Sequence, residues 1–254
     1  MASLLRELSE PRIVIAGASG GIGFAMLSAL AERFPRARIE ALARRPEQRP
    51  KLLALAEQGG GAIRLHRFDL GDEAGLLELG ARLSAEGPIH LLLFATGILH
   101  GEGLQPEKSL AQLDAQAVRK VFAVNALGPL LLTKAMLPAL RGTHPVVVAA
   151  LSARVGSIGD NRLGGWYAYR ASKAALNQLF RTVAVELRRL NPKSAVLLLH
   201  PGTVDTLLSA PFSGGMQPRL TPEAAASRLL ALIVDAQPSE GARFLAYDGN
   251  EVPW

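Results

Sequence analysis

Apolar and polar positions divide the chain into seven β-rich runs, at 12–16, 37–43, 62–70, 89–94, 145–151, 194–200 and 243–247. Ile89 to Phe94 shows no polar alternation, which suits a parallel strand buried on both faces. Helical patterns fall between the runs, at 21–30, 50–58, 73–84, 167–190 and 221–234. In the longest, Leu176, Leu179, Phe180, Val183 and Leu187 trace one apolar stripe able to pack on a sheet. The stretch 114–140 supports one long helix or two abutting ones, with VNALGP at its middle. Strands interleaved with helices predict one doubly wound α/β domain over 1–254, without internal repeats or low-complexity segments.

Composition narrows the class. The 254 residues are 49% hydrophobic and 20% charged, which describes a folded protein with a sizeable core. With no cysteine, disulfides and thiolate chemistry are excluded. No uninterrupted apolar run reaches the roughly 18 residues of a membrane span, and the first eleven residues are too charged for a signal peptide, so a cytoplasmic location is expected. The net charge of +6 is compatible with nucleic acid, an anionic membrane or a phosphorylated ligand. Arg44, Arg45, Arg49 and Lys51 form the densest basic group, just behind the second run, where a small anion fits better than a duplex. A small-molecule partner is therefore expected, with no nucleic acid and no membrane. His90, His100 and His144 lack ligand spacing, so no metal is expected, and His66, inside a strand pattern, reads as structural.

Candidate chemistry sits at the ends of the runs. GASGGIG, at 17–23, lies between a strand and a helix, where exposed amides and a helix N-terminus hold phosphate. Its glycines, Gly17, Gly21 and Gly23, allow a turn and close backbone approach. Arg44 and Arg45 end the second run without an acid, because Glu40 is inside the run and Glu47 lies past Pro46. An arginine there favours a 2′-phosphate, hence NADP(H) over NAD(H). Asp69 ends the third run and could accept from an adenine amino group or cap a helix. Gly97 permits close approach after the fourth run.

Tyr169 and Lys173, four apart on a predicted helix, share one face and can converge on one point. A nearby cation favours the phenolate and lowers the tyrosine pKa; a phenol in a dry pocket can supply a developing alkoxide. Asn125 stands alone in an apolar segment and needs buried partners, either a local kink with a water or the backbone near Pro129. Ser152 and Ser157 follow the fifth run. The segment 207–220, with Pro211, Gly214, Gly215 and Pro218, has the composition of a cover over a site.

Together these blocks resemble the short-chain dehydrogenase/reductase family, and within it the carbonyl-reductase-like members related to the bacterial C-factor. The resemblance rests on GASGGIG at 17–23, FDL at 68–70, VNALGP at 124–129, SARVGSIGDNRLGGWYAYRASKAALN at 152–177 and HPGTVDT at 200–206. It implies a Rossmann-type domain with a mostly parallel seven-stranded sheet, reducing an aldehyde or ketone with NADP(H). Tyr169 would be the proton donor, Lys173 would lower its pKa, Asn125 would anchor a water, and Ser152 would orient the substrate. Cofactor positions carry over as Gly17, Ser19, Gly21, Ile22, Gly23, Arg44, Asp69, Leu70, Gly97, Tyr169, Lys173, Pro201, Gly202, Val204 and Thr206. A homodimer or homotetramer is implied. Two departures stand out: FATG at 94–97 replaces the family's NNAG, and Ala153 occupies the usual serine position. Ser152, Ser157 or no serine then serves, and a cofactor-binding signalling or regulatory protein with weak turnover is the alternative function.

Overall fold

The computed structural model describes residues 3–212 and 219–254. Seven strands form one sheet: β1 (Arg12–Ala16), β2 (Arg38–Ala43), β3 (Ile63–Arg67), β4 (Leu91–Phe94), β5 (Val146–Leu151), β6 (Ser194–His200) and β7 (Arg243–Ala246). Their order is β3-β2-β1-β4-β5-β6-β7, and every pairing is parallel. All seven sequence runs are present. Their ends differ mainly at β3, which stops at Arg67 and releases Phe68, Asp69 and Leu70 into the loop.

The helices are α1 (Gly21–Arg33), α2 (Pro50–Gln58), α3 (Glu73–Ala85), α4 (Ala115–Phe122), α5 (Gly128–Leu140), α6 (Tyr167–Leu190) and α7 (Pro222–Val234). Period-two alternation sends neighbouring strand residues to opposite layers. Ile13, Ile15 and Leu197 face Met26, Leu30, Leu229 and Ile233 of α1 and α7. Val14, Val148 and Val196 face Leu79, Met136 and Phe180 of α3, α5 and α6. In α6, Leu176, Phe180 and Leu187 are buried as the stripe requires, but Ala184 takes the buried place expected of Val183. The result is a single Rossmann-type α/β domain with both faces of the sheet covered.

Neither reading of 114–140 is quite met. The helix runs on from α4 to α5 through a wide turn at Ala123–Leu127, whose i→i+5 bonding accommodates one extra residue at Asn125. By length and composition alone, the helical stretch Ala115–Leu140 is long and apolar enough to cross a membrane. Its core-facing residues Leu132, Met136 and Leu140 are instead fully buried against the other elements of the domain.

A charged cluster fixes the β1–β2–β3 edge. Glu40, fully buried on β2, binds Arg64 and His66 of β3 and lies 3.5 Å from Arg12 of β1. His66 is therefore structural, with a partner that sequence spacing alone did not reveal. Burial alone would raise the Glu40 pKa, but hydrogen bonds from His66 and Arg64 outweigh it and hold the carboxyl at about 2. A folded-state pKa below the unfolded one contributes stability that is present above the ordinary glutamate range and lost as pH falls through it toward 2. Glu40→Gln is expected to cost about 3 kcal/mol at pH 7 and progressively less below pH 4.5. Urea unfolding at pH 7 and pH 3 checks this; equal losses at both pH values would remove the electrostatic account.

Candidate active site

The strand order reverses direction between β1 and β4, and a crevice opens there at the carboxyl ends of the strands. β1 runs into Gly17, whose φ of +92° is left-handed. A Cβ at Gly17 would stand 2.7 Å from the Ala95 carbonyl oxygen, so only glycine lets this turn lie against the end of β4. Gly23 is equally constrained: a Cβ there would collide with the Gly17 carbonyl. α1 then begins at Gly21 with no side-chain cap, leaving its first amides available to an anion. A cleft of about 370 Å³ extends from Ser19, Gly21, Ile22 and Gly23 past Gly97 to Tyr169 and Lys173, with Pro201, Thr206 and Leu207 along it.

Beside this cleft lie two further cavities. One of about 160 Å³ is lined by Gly17, Phe68, Asp69, Leu70 and Thr96, and the Thr96 hydroxyl, buried there, has no protein partner. The other, about 670 Å³, is walled by Arg44, Arg45, Arg49 and Arg67. Among the described residues none of these four arginines forms an ion pair. The orphaned hydroxyl, the glycine turn and the unpaired arginines suit an adenosine carrying phosphate. Asp69 lines both cavities, and its Oδ1 accepts from Gly71 N at 2.9 Å. It does not cap α3; Asp72 does, accepting from Gly75 N at 3.1 Å.

Tyr169 and Lys173 sit in the first two turns of α6, both buried, on the cleft wall. The Lys173 Nζ is 5.8 Å from the Tyr169 ring centroid and donates to the Leu151 carbonyl at 2.8 Å. Gly156 permits this approach, since a Cβ there would be 2.8 Å from the Lys173 Cβ. Burial lowers the Lys173 pKa to about 8 and raises Tyr169 to about 12. The tyrosine shift is opposite to that expected from the cation, because loss of water disfavours the phenolate. At neutral pH the site therefore holds a protonated phenol beside a predominantly protonated amine.

Asn125 stands behind the cleft at the wide turn. Its Oδ1 accepts from Ile98 N at 2.8 Å, while Nδ2 donates to Ile98 O at 2.9 Å and to Ser172 Oγ at 3.0 Å. The amide thus clamps the loop that leaves Gly97 and ties it to α6. Its partner is a distant backbone, not the one near Pro129. Gly97 lies between this amide and Lys173: a Cβ there would sit 3.4 Å from Lys173 Nζ and 3.6 Å from Asn125 Oδ1, in ordinary van der Waals contact with both.

Residues 11–215 match the short chain dehydrogenase family. The chain belongs to that family. Among curated relatives, the C-signal protein of Myxococcus xanthus is 39% identical over 169 residues, 66% of this chain and 94% of that protein. The 1-hydroxy-2-glutathionyl-2-methyl-3-butene dehydrogenase of Rhodococcus sp. (strain AD45) is 34% identical, over 73% of this chain and 78% of that enzyme. A carbonyl reductase from Pseudomonas aeruginosa PAO1, solved in complex with NADP, superposes with a TM-score of 0.80 at 32% identity, covering 97% of this chain and all of that one.

Within this short chain dehydrogenase site, the serines depart from expectation. β5 ends at Leu151, so Ser152 does reach the cleft wall, but its hydroxyl donates to Asn177 Oδ1 at 2.6 Å. Ser157 accepts from Asp160 N at 3.1 Å and donates to the Trp254 carbonyl at 3.4 Å, and it is not among the residues lining the cleft. In this arrangement neither hydroxyl has a free proton for a substrate oxygen. Of the other positions, Gly202 packs on the Tyr247 ring and Val204 is buried in a bridge to Leu220, so neither lines the cleft. In the expected covering segment, Leu207 and Leu208 line the cleft and His100 bonds the Leu207 carbonyl at 3.0 Å, while Gly214, Gly215 and Pro218 lie outside the described residues. Arg67 and Thr96 also belong to the cavities beside the cleft, without a signal in the local sequence. Arg67 is brought beside Ala43 by β2–β3 register, which no local pattern encodes.

Proposed function

We propose that this chain is an NADPH-dependent oxidoreductase that reduces an aldehyde or ketone to an alcohol. The observation that carries the proposal is the convergence of Tyr169 and Lys173 on a cleft that continues into a glycine turn and an unpaired arginine pocket. The carbonyl-reductase relative with its NADP supports the same cofactor. Gly17, Ser19, Gly21, Ile22 and Gly23 would hold the diphosphate, Arg44 the 2′-phosphate, and Asp69 and Leu70 the adenine. Gly97 would allow close approach of ribose, which Tyr169 and Lys173 also bind. The Pro201–Thr206 segment, with Gly202 and Val204 shaping its turn, would place Thr206 against the carboxamide.

When bound, NADPH would supply the hydride for the carbonyl carbon. Tyr169 gives its hydroxyl proton to the carbonyl oxygen, and its upward pKa shift keeps that proton in place until it is needed. Lys173 offsets the charge left on the phenolate. Asn125 holds the Ile98 backbone and, through Ser172, the start of α6. For Ser152 we propose a role that turns on Asn177, whose Nδ2 is buried without an acceptor. Rotating that amide by half a turn lets Nδ2 donate to Ser152 Oγ and releases the serine proton toward the cleft.

Reductive turnover is expected to fall as pH rises through about 8, where Lys173 loses its proton, with no tyrosine ionisation until about 12. A pH–rate profile checks it, and a flat profile from pH 7 to 10 would remove the lysine charge from the mechanism. The assay that tests the function itself is NADPH oxidation against a panel of aldehydes and ketones. A second reading is favoured by the engaged serine hydroxyls and by the C-signal relative: a cofactor-binding signalling or regulatory protein with weak turnover. NADPH binding with no turnover on the panel would select it. We propose a cytoplasmic location and, as the family resemblance implies, a homodimer or homotetramer.

A further inference from the structure

Glu107 has no part in the roles above, yet it is 4% exposed. Its carboxylate Oε2 accepts from Ala168 N at 3.2 Å, and its main-chain carbonyl accepts from Trp166 N at 2.5 Å. Both bonds fall where α6 lacks a cap of its own. Trp166 precedes the helix with φ of +51°, the only positive value outside glycine among the described residues, and makes no side-chain cap bond. Gly164 and Gly165, at +63° and +65°, make three left-handed residues in succession. For a tryptophan that conformation costs about 1–2 kcal/mol and persists only where the surroundings impose it.

This backbone sets the indole beside Tyr169. The Trp166 ring lies edge-on to the Tyr169 ring at 6.2 Å and to Phe212 at 4.9 Å. Leu104, three residues before Glu107, packs with Ala168 and Val121, so the same segment grips the first turn of α6 through apolar contacts as well. A carboxylate at this place also meets the positive end of the helix dipole.

We propose that Glu107 is a positioning residue for the reaction: its carboxylate fixes the first turn of α6 while its main-chain carbonyl holds Trp166, so that the indole walls the site beside Tyr169. The proposal rests on the reading of Tyr169 as proton donor. Glutamine at 107 can still accept from Ala168 N. Alanine leaves that buried amide without a partner and, although the main-chain bond to Trp166 N remains, loosens the first turn of α6 on which the indole is carried.

The chain has two tryptophans, so a Trp254→Phe background leaves Trp166 as the sole indole reporter. In that background Glu107→Ala is expected to shift the Trp166 emission and to lower kcat by about tenfold or more, with NADPH Kd within about twofold of the parent. Glu107→Gln should stay within about threefold of the parent in kcat. Glu107→Ala with unchanged emission and kcat would overturn the proposal, as would Glu107→Gln as impaired as Glu107→Ala. Should Glu107→Ala not fold, Glu107→Asp, one methylene shorter, carries the test: reduced kcat with a shifted emission supports it, and parental values of both overturn it. Tyr169→Phe in the same background separates the two readings. If it retains turnover, the proton-donor reading fails; if it is inactive while Glu107→Ala is fully active, only the positioning role fails.

Discussion

Replacing Tyr169 by phenylalanine is expected to lower carbonyl-dependent NADPH oxidation by about 10²- to 10⁴-fold while leaving NADPH binding nearly intact. The substitution removes one oxygen from a buried ring whose packing against Trp166 depends on its carbon framework. Among the described residues no protein group bonds to the Tyr169 hydroxyl, so its loss leaves none of them unsatisfied and stability should change little. With Ser152 donating to Asn177 and Ser157 directed to Trp254, neither serine, whose hydroxyl is a weaker acid than a phenol, replaces the lost proton donor. Stopped-flow absorbance with a reactive aldehyde, paired with NADPH fluorescence titration, reads the two quantities separately. Full turnover in the purified variant would refute the assignment, and loss of cofactor binding along with turnover would mean that Tyr169 serves mainly to bind.

The burial that makes Tyr169 a persistent acid could not be read from the spacing of Tyr169 and Lys173. Spacing places the two on one face of α6 but says nothing of the water that folding removes. The sequence suggested a lowered tyrosine pKa because it shows the cation and hides the desolvation. Asn125 illustrates the same gap. Its isolation in an apolar segment announced a buried amide, but its partner, the Ile98 backbone, lies 27 residues away and is supplied by the crossing of β4's loop over the wide helical turn. The strands were legible because parallel strands covered on both faces need continuous apolar runs, a local property. Glu40 broke that pattern at the centre of β2, and only the β1–β2–β3 register shows that Arg12, Arg64 and His66 compensate it.

Local sequence likewise explains why some site residues converge and others do not. Gly17, Arg44 and Gly97 each follow the end of a strand, so an ordered parallel sheet delivers them to one crevice. Ser152 also follows a strand end, but its rotamer is decided by a neighbour one turn beyond Lys173 on α6, Asn177, which belongs to another element. Glu107 depends on still longer connections. It lies on the segment between β4 and α4, and its importance appears only when α6 is seen to begin with a left-handed tryptophan that cannot cap it.

Arg44→Ala is the second substitution with a large expected effect, and here the effect must discriminate between cofactors. Arg44 alone among the four arginines lines the glycine cleft, the small cavity beside Asp69 and the arginine pocket, which places it where an adenosine ribose would meet its phosphate. A hydrogen bond to a charged group contributes about 1.5–3 kcal/mol, so NADPH affinity should fall by about 10- to 100-fold. NADH, which lacks the 2′-phosphate, should lose no more than about threefold. Arg67→Ala and Arg49→Ala should weaken NADPH less, since neither lines all three spaces. Raising salt should narrow the difference between wild type and Arg44→Ala, because the exposed guanidinium acts partly through a screened charge. Titrations with both cofactors at two ionic strengths decide the matter: equal losses for NADPH and NADH would show that Arg44 supports the turn itself and does not read the phosphate.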